Sequence, residues 1–524
     1  MSSELRWTSV GALADVLPDS GVAVLLGGRQ IAVFRVDDRL YAIGNHDPAS
    51  GVNVLARGIV GDLKGELVVA SPLYKHHFSL TSGRCLEDPS LSVPTYDARA
   101  ADGQIWLRRP TAAAERSPAR RRLVVVGNGM AAMRTLEELL ALAPDAHDIT
   151  VFGAEPESGY NRILLSALLA GERTREELVT HPAGWYRERG ITLHAGDPIV
   201  RIDRVRRRVC AASGTEVAYD RLLLATGSLP VVLPIPGRDL EGVMTFRDLH
   251  DVERMLGAAR TGGSAVVIGG GLLGLEAANG LHARGMQVTV VHLMSHLMER
   301  QLDTRAGALL QAQLEERGLR FILPAQTVAI LGSHRARGVR LHDGRELAAD
   351  LIVMAVGVRP NLGLAAAAGL RCERGILVDD TLQTFDPAIY AVGECVQHRN
   401  VVFGLVAPLW QQARVCAAHL AEVGVRRYGG SQEATRLKVG GVDVFSAGDY
   451  AEREGRESLV IRDAKRGIYK RLVLENDRVR GAVLYGDTRD GSWYQRLIDE
   501  GRDVGTVRDQ LMFGDPAALE APAA

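Results

Sequence analysis

Two glycine-bearing stretches carry the clearest chemistry in the 524-residue chain: Gly127-x-Gly129-x-x-Ala132 and Gly269-x-Gly271-x-x-Gly274. Each follows a small apolar run, LVVV or AVVI, and leads into a helical pattern. Small residues at this spacing let the backbone come close to a pyrophosphate, which then lies at the positive end of the helix. A second apolar run after each motif ends in a polar residue: VFGAE closes on Glu155 and VTVVH on His292. A carboxylate at Glu155 can accept hydrogen bonds from both hydroxyls of a dinucleotide ribose. His292 stands where an acid would select a free 2′-hydroxyl; it either caps the strand end or shares one bond with the ribose. NADH and NADPH therefore both stay open, and the lack of an arginine before Arg300 to clamp a 2′-phosphate favours NADH.

Each motif needs a strand to present it and a helix to follow it. The unit strand, glycine turn, helix, strand occurs twice, about 140 residues apart, which implies a parallel sheet with crossover helices in each of two nucleotide-binding domains. Before Arg122 the texture differs. VAVLLG, IAVFRV, LYAIG, ELVVASP and IWLRR are short strand patterns broken by Gly, Asp, Asn and Pro, so residues 1–110 are expected to form a small all-β domain. TAAAERSPAR, 111–120, reads as a linker. After about residue 430, DVFSAGD, SLVIRD, YKRLVLEND and RVRGAVLYGD predict strands of a small α+β domain with a short helical tail.

Composition removes other classes. Lys plus Arg number 62 against 63 Asp plus Glu, a net charge of -1, so nothing favours a polyanion and nucleic acid is not an expected partner. Cys85, Cys210, Cys372, Cys395 and Cys416 form no close pair, which excludes a disulfide framework and a CxxC metal or redox motif and fits a reducing compartment. MSSELRWTSV lacks the pattern of a signal peptide, and no apolar run nears the roughly 18 residues of a membrane span. A cytoplasmic protein without membrane partners is expected.

Two such units, the second inserted in the first, resemble the glutathione-reductase-like flavoproteins with two dinucleotide folds. LLLATGS, with Thr226, Gly227 and Ser228, matches the turn that leads from their FAD domain to their NAD domain. LIVMAVGVRPN, with Gly357 and Arg359, matches the return, and IYAVGEC, with Glu394, matches their second FAD motif. The CxxxxC of the disulfide reductases is absent: the corresponding stretch is ESGYNRILLSALLAGE. Tyr160, Arg162 and Ser166 match the ferredoxin-reductase branch, but Ala167 stands where that branch has lysine, which removes the expected ion-pair partner of Glu276. YNRILLS, VVHLMSHLMERQLD and LKVGGVDVFSAGD are most similar to the flavoprotein portion of assimilatory NAD(P)H nitrite reductases, a likeness that runs to about Phe513.

The N-terminal stretch, from GNHDPASGVNVLARGIVGD to VPTY, resembles the Rieske-like small subunit of the same reductases. A Rieske cluster needs two cysteines and two histidines. Asn45-His46-Asp47 and Ser71-Pro72-Leu73-Tyr74 occupy the ligand loops, so all four ligands are replaced. His46, His76 and His77 are read as polar loop residues, and no metal ligand is assigned.

The resemblance implies a multidomain chain. It comprises the all-β Rieske-like domain (1–110), an α/β two-Rossmann reductase with its FAD part at 121–238 and 357–430 and its NAD(P)H part at 239–356, and the α+β domain at 431–524. It implies FAD held by Gly127, Gly129, Ala132, Glu155, Arg162, Thr226, Gly227 and Glu394, with Pro408 and Trp410 over the ring. It implies NADH or NADPH held by Gly269, Gly271, Gly274, His292 and Gly357, with Glu276 and Arg162 at the reacting centre. No cysteine follows Cys416, whereas the nitrite reductases continue into cysteine-rich iron-sulfur and sirohaem domains. The expected function is electron input to a separate molybdenum nitrate reductase or sirohaem nitrite reductase subunit, nitrate being slightly favoured. A ferredoxin or rubredoxin reductase feeding an oxygenase, a self-contained NADH oxidase and a non-enzymatic redox sensor are the alternatives.

Overall fold

The computed structural model describes residues 7–63, 65–88, 90–108, 120–423, 426–431, 434–439 and 441–515. The expected linker lies outside the described residues except for Arg120. The chain divides into two compact units. The first holds Met1–Ser158, His181–Gly227 and Leu362–Gly429, the second Gly159–Thr180, Ser228–Asn361 and Gly430–Ala524.

The first unit begins with an antiparallel domain. Strands β1 (Thr8–Ala12), β2 (Ser20–Leu26), β3 (Arg29–Val36), β4 (Arg39–Gly44), β5 (Ile59–Leu63), β6 (Glu66–Ala70), β7 (His77–Ser79), β8 (Thr95–Ala101) and β9 (Gln104–Arg108) alternate with turns. They form a six-stranded sheet in the order β1-β9-β8-β4-β3-β2 and a three-stranded sheet β5-β6-β7. Successive residues of β3 face opposite sides, and both sides are covered: Ala32 and Phe34 join one apolar cluster, Ile31 and Val33 another.

Two Rossmann units follow. The first starts with β10 (Arg121–Val126), α1 (Met130–Leu142) and β11 (His147–Phe152); the short helix α2 (Leu165–Ala170) precedes β12 (Thr192–His194) and β13 (Arg221–Leu224). The second runs through β14 (Val243–Thr245), β15 (Ser264–Ile268), α3 (Leu272–Ala283), β16 (Gln287–Val291), α4 (Thr304–Glu316), β17 (Arg320–Ile322) and β18 (Leu351–Met354). Then β19 (Ile389–Ala391) returns to the first sheet and α5 (Val406–Leu420) follows it. The sheets, β12-β11-β10-β13-β19 and β14-β18-β15-β16-β17, are parallel throughout. Their central strands are apolar on both faces, as burial under crossover helices requires: Leu123 to Val126 and Ala265 to Ile268 are all buried. Within the second unit the crossings into and out of the inserted domain, Ser228–Pro230 and Val358–Pro360, pair antiparallel.

The C-terminal domain is a five-stranded antiparallel sheet, β20 (Ala434–Val439), β21 (Val442–Gly448), β22 (Glu457–Asp463), β23 (Ile468–Glu475) and β24 (Arg478–Tyr485), followed by α6 (Gly491–Glu500). It is tied to the second Rossmann domain at Asp303, the N-cap of α4. One carboxylate oxygen of Asp303 accepts from the Ala306 N–H at 2.9 Å, and the other meets Tyr469 Oη at 2.7 Å and the Arg471 guanidinium at 3.1 Å. Among the described residues no helix is long and apolar enough to cross a membrane.

Candidate functional site: two dinucleotide cradles

Gly127 leaves β10 at φ +109°, and a Cβ on it would come within 2.2 Å of the Ala225 carbonyl oxygen. Only glycine fits that turn. Gly129 is the N-cap of α1, and a Cβ there would meet nothing within 4 Å, so the space in front of the helix is open. No side chain caps α1, which leaves its first N–H groups facing that opening. Ala132, fully buried, lets the helix pack close. Glu155 follows β11 by three residues, its position fixed by a 2.8 Å hydrogen bond from the Gly196 N–H to its carbonyl.

The other expected FAD residues of the first unit converge here. Cys395, next to Glu394, is buried against the turn after β13: its thiol donates to the Val392 and Leu224 carbonyls, and Thr226 and Gly227 bond to it. Gly393, at φ +93°, would put a Cβ 3.0 Å from that of Ala131 in α1. The Gly393 N–H donates to Gln412 Oε1 of α5 at 2.8 Å. Trp410 is half-buried on the side of α5 that faces α1, with the Arg134 guanidinium 6.0 Å from its ring, and Pro408 is buried. Sequence reading missed Gln412 and Asn128. Gln412 Nε2 and Asn128 Nδ2 are buried without a hydrogen-bond partner among the described residues, while Asn128 Oδ1 accepts from Tyr186 Oη at 2.8 Å. Two orphaned donors beside an open helix N-terminus fit a bound group rich in acceptor oxygens, as the phosphates and ribityl chain of FAD are.

The second cradle repeats this geometry. Gly269, at φ +117°, would put a Cβ 2.3 Å from the Ala355 carbonyl oxygen; Gly271, the N-cap of α3, has nothing within 4 Å. A Cβ on Gly274 would meet the Gly269 carbonyl at 1.9 Å, so the third position allows the helix its close approach. Gly357, at φ +111°, accepts the Val231 N–H at 2.9 Å in the turn between the crossing strands.

His292 is drawn into the structure. Its Nδ1 accepts from the Gly270 N–H at 3.1 Å, and its Nε2 lies 3.0 Å from the His296 carbonyl and 3.2 Å from the Glu299 carboxylate. Both ring nitrogens are thus engaged by the protein, which favours the strand-end reading of His292 over a bond to the ribose. The Met298 N–H donates to the Gly270 carbonyl at 3.0 Å, so the loop that carries Glu299 is pinned to the fingerprint turn. Sequence reading did not single out Glu299.

Glu276 and Arg162 both belong to the second unit. Glu276 is half-buried on α3, its carboxylate has no hydrogen-bond or ion-pair partner among the described residues, and burial alone pushes its pKa up to about 7. Helix α2 packs on α3, where a Cβ at Gly280 would meet the Leu169 side chain at 2.6 Å. Ala167 on α2 supplies no cation. Arg162 stacks 5.1 Å from the Tyr160 ring and donates to the Arg247 carbonyl at 3.0 Å.

At the former cluster loops Asn45, Asp47 and Ser71 are buried and bonded. Ser71 Oγ donates to Asp47 Oδ2 at 2.6 Å, the Ala49 N–H to Asp47 Oδ1 at 2.9 Å, and the Ala56 N–H to Asn45 Oδ1 at 2.7 Å. Tyr74 is 64% exposed. Against the upward push of burial, the His77 N–H, donating to Glu87 at 2.8 Å, and His77 Nδ1, at 2.5 Å, hold the Glu87 carboxyl down at about 2. An amide, a carboxylate, a hydroxyl and a phenol do not fit a 2Fe-2S cluster, which is held by thiolate and imidazole.

Two cradles of one geometry on two parallel sheets define an oxidoreductase with paired dinucleotide-binding folds. The chain belongs to the pyridine nucleotide-disulphide oxidoreductase family, whose family model matches residues 121–419, and membership implies FAD and NAD(P)H. Residues 6–108 match the Rieske-like 2Fe-2S domain and 434–502 the rubredoxin NAD+ reductase C-terminal domain. The chain is 48% identical over 402 residues to the NAD(P)H nitrite reductase of Bacillus subtilis (strain 168), covering 77% of this chain and 50% of that protein. It is 44% identical over 396 residues to the assimilatory nitrate reductase electron transfer subunit of the same organism, covering 75% and 51%. It thus spans about half the length of these curated relatives. A solved ferredoxin reductase from Rhodopseudomonas palustris is 27% identical, with a TM-score of 0.69 over 77% of this chain and all of its own. These matches bear out the expected resemblance and fold class. Despite the family's name, all five cysteines here are free.

Proposed function

We propose that this chain is the electron-input subunit of an assimilatory nitrate or nitrite reductase, taking electrons from NADH in preference to NADPH and passing them through FAD to a separate metal-containing catalytic subunit. The observation that carries the reading is the likeness, at 44 to 48% identity over about three quarters of the chain, to a nitrite reductase and to a nitrate reductase electron transfer subunit. The cluster-free reading of the N-terminal domain rests on its donor set, and a cytoplasmic setting on the five unpaired thiols.

The first cradle, with Gly127, Gly129, Ala132, Thr226, Gly227 and Glu394, would hold FAD, the Asn128 and Gln412 amides donating to its oxygens and Glu155 accepting from its ribose. The second, with Gly269, Gly271, Gly274 and Gly357, would hold the nicotinamide dinucleotide, Glu299 lying beyond the strand end behind His292. FAD, when bound, takes up the two electrons of a hydride and gives them out singly, which suits a metal centre. Glu276 and Arg162 are the candidates at the reacting end. Glu276 keeps its proton up to about pH 7, so it can donate as well as accept a hydrogen bond there. What the chain supplies is mainly position and exclusion of water.

Mixing the purified chain with candidate molybdenum or sirohaem subunits tests the reading: NADH-dependent loss of nitrate or nitrite should require both polypeptides. The likeness to a ferredoxin reductase supports a second reading, reduction of a ferredoxin for an oxygenase. Efficient ferredoxin reduction with neither anion consumed would select it.

A further inference from the structure

Within the first unit, a residue standing in a cluster-ligand position is linked through Gln30 to the FAD-type domain. Asn45 Nδ2 donates to Gln30 Oε1 at 2.9 Å, and Gln30 Nε2 donates to the carbonyl of Ala421, the residue that ends α5. Asn45 is itself fixed, its backbone N–H on the Gln30 carbonyl at 3.0 Å and its carbonyl on the Val54 N–H at 2.9 Å. Leu25 of β2 packs against the core of the first Rossmann domain. The charge of Arg57 acts on Tyr390, His419 and Glu422, and Glu422 is bonded to Arg121 at the start of β10. The end of the N-terminal domain that would carry a cluster is therefore seated on the last turn of α5.

The same helix holds the first cradle together. Gln412, in its middle, accepts the Gly393 N–H and so sets the Gly393–Glu394 turn against Ala131. Arg414 lies 3.6 Å from Glu138 of α1, and Trp410 lies under Arg134 of α1. A shift of α5 moves Gln412, Glu394 and the fingerprint helix as one.

We propose that the N-terminal domain has exchanged electron carriage for positioning: through Asn45, Gln30 and Ala421 it braces α5 and thereby sets the affinity of the first cradle for FAD. Asn45 and Gln30 are positioning residues in this account, which rests on the reading that the first cradle takes FAD. Electrons do not pass through the domain, because none of the four ligand positions holds a thiolate or imidazole: Asn45, Asp47 and Ser71 are committed to hydrogen bonds within the protein, and Tyr74 is exposed.

The test uses the full-length chain, stripped of flavin and titrated with FAD by flavin fluorescence, with dye reduction measured at saturating FAD. Gln30→Ala and Asn45→Ala are each expected to raise the Kd for FAD about three- to tenfold, the size of a lost buried hydrogen bond. The KM for NADH should stay within about twofold, and saturating FAD should restore kcat. The double variant should cost little more than either alone, since the two bonds form one chain. Ser71→Ala, which cuts a bond inside the same domain but not the brace, should leave the Kd for FAD unchanged. An unchanged Kd in both brace variants overturns the proposal, as does an equal rise in Ser71→Ala, which would mean general loosening of the domain. Normal FAD binding with impaired delivery to the catalytic subunit also overturns it and makes the domain a docking module. A wild-type chain that binds no FAD refutes the functional reading itself, a result distinct from all of these.

Discussion

His292 Nε2 lies 3.2 Å from the Glu299 carboxylate while its Nδ1 accepts the Gly270 N–H, so a negative charge is held beside the second fingerprint turn although the strand ends in histidine. A 2′-phosphate brought to that strand end meets this charge, whereas a free 2′-hydroxyl can donate to it. The expected preference is for NADH, by about tenfold or more in kcat/KM. Glu299→Gln should narrow it, chiefly by weakening NADH. Binding of NAD+ and NADP+ by calorimetry checks the same point without turnover. An unchanged ratio in the variant would remove Glu299 from the account.

Glu276 predicts a pH dependence. Its pKa in the folded chain, about 7, lies above the ordinary 4.5, so between these values the folded state binds more protons than the unfolded one. Stability contributed at this site is therefore lost as pH rises from about 4.5 to about 7, by up to about 3 kcal/mol, and is constant beyond. Glu276→Gln should raise the thermal midpoint at pH 8 and change it little at pH 4.5. Dye reduction by NADH should lose any inflection near pH 7 in the same variant. Identical melting curves at both pH values would show that the carboxylate is solvated or paired.

The glycines of each cradle separate folding from binding. Gly274→Ala must displace the Gly269 carbonyl, 1.9 Å from the new methyl, and should lower stability by about 1 to 3 kcal/mol. Gly271→Val adds its side chain to open space and should leave the stability within about 1 kcal/mol of wild type, while raising the KM for NADH more than tenfold. Thermal denaturation with steady-state dye reduction reads both.

Ser71 and Asp47 predict the metal content. Because Ser71 Oγ satisfies a fully buried carboxylate, Ser71→Ala should cost about 1 to 3 kcal/mol, read as a lower melting temperature. The purified chain should carry one FAD and no stoichiometric iron or acid-labile sulfide. Iron at two per chain would contradict the reading of Asn45, Asp47, Ser71 and Tyr74.

The two cradles were legible because their requirements are local. Gly127 and Gly269 answer to a turn, Gly129 and Gly271 to an opening and Gly274 to a helix approach, each fixed by a spacing of a few residues. The strands of the outer domains were legible too: RVRGAVLYGD became β24 and IAVFRV the body of β3. Gln412 and Asn128 were not, since an orphaned amide is defined by what surrounds it after folding. Glu299 escaped because its carboxylate reaches the strand end by way of a loop and an imidazole, seven positions past the residue that the fingerprint marks. Gln30 and Ala421 are far apart in sequence, and no periodicity joins them.

The central claim is that electrons enter this chain from NADH and leave it for another polypeptide. Anaerobic mixing of the flavin-loaded chain with NADH and a purified molybdenum or sirohaem subunit, followed by the flavin absorbance and by loss of nitrate or nitrite, tests it most directly. The account predicts rapid flavin bleaching by NADH, reoxidation that needs the catalytic subunit and continues beyond its own metal centres only when its anion is present, and loss of the first step in Gly271→Val. Bleaching followed by reoxidation with a ferredoxin, and no anion consumed with either subunit, would contradict it.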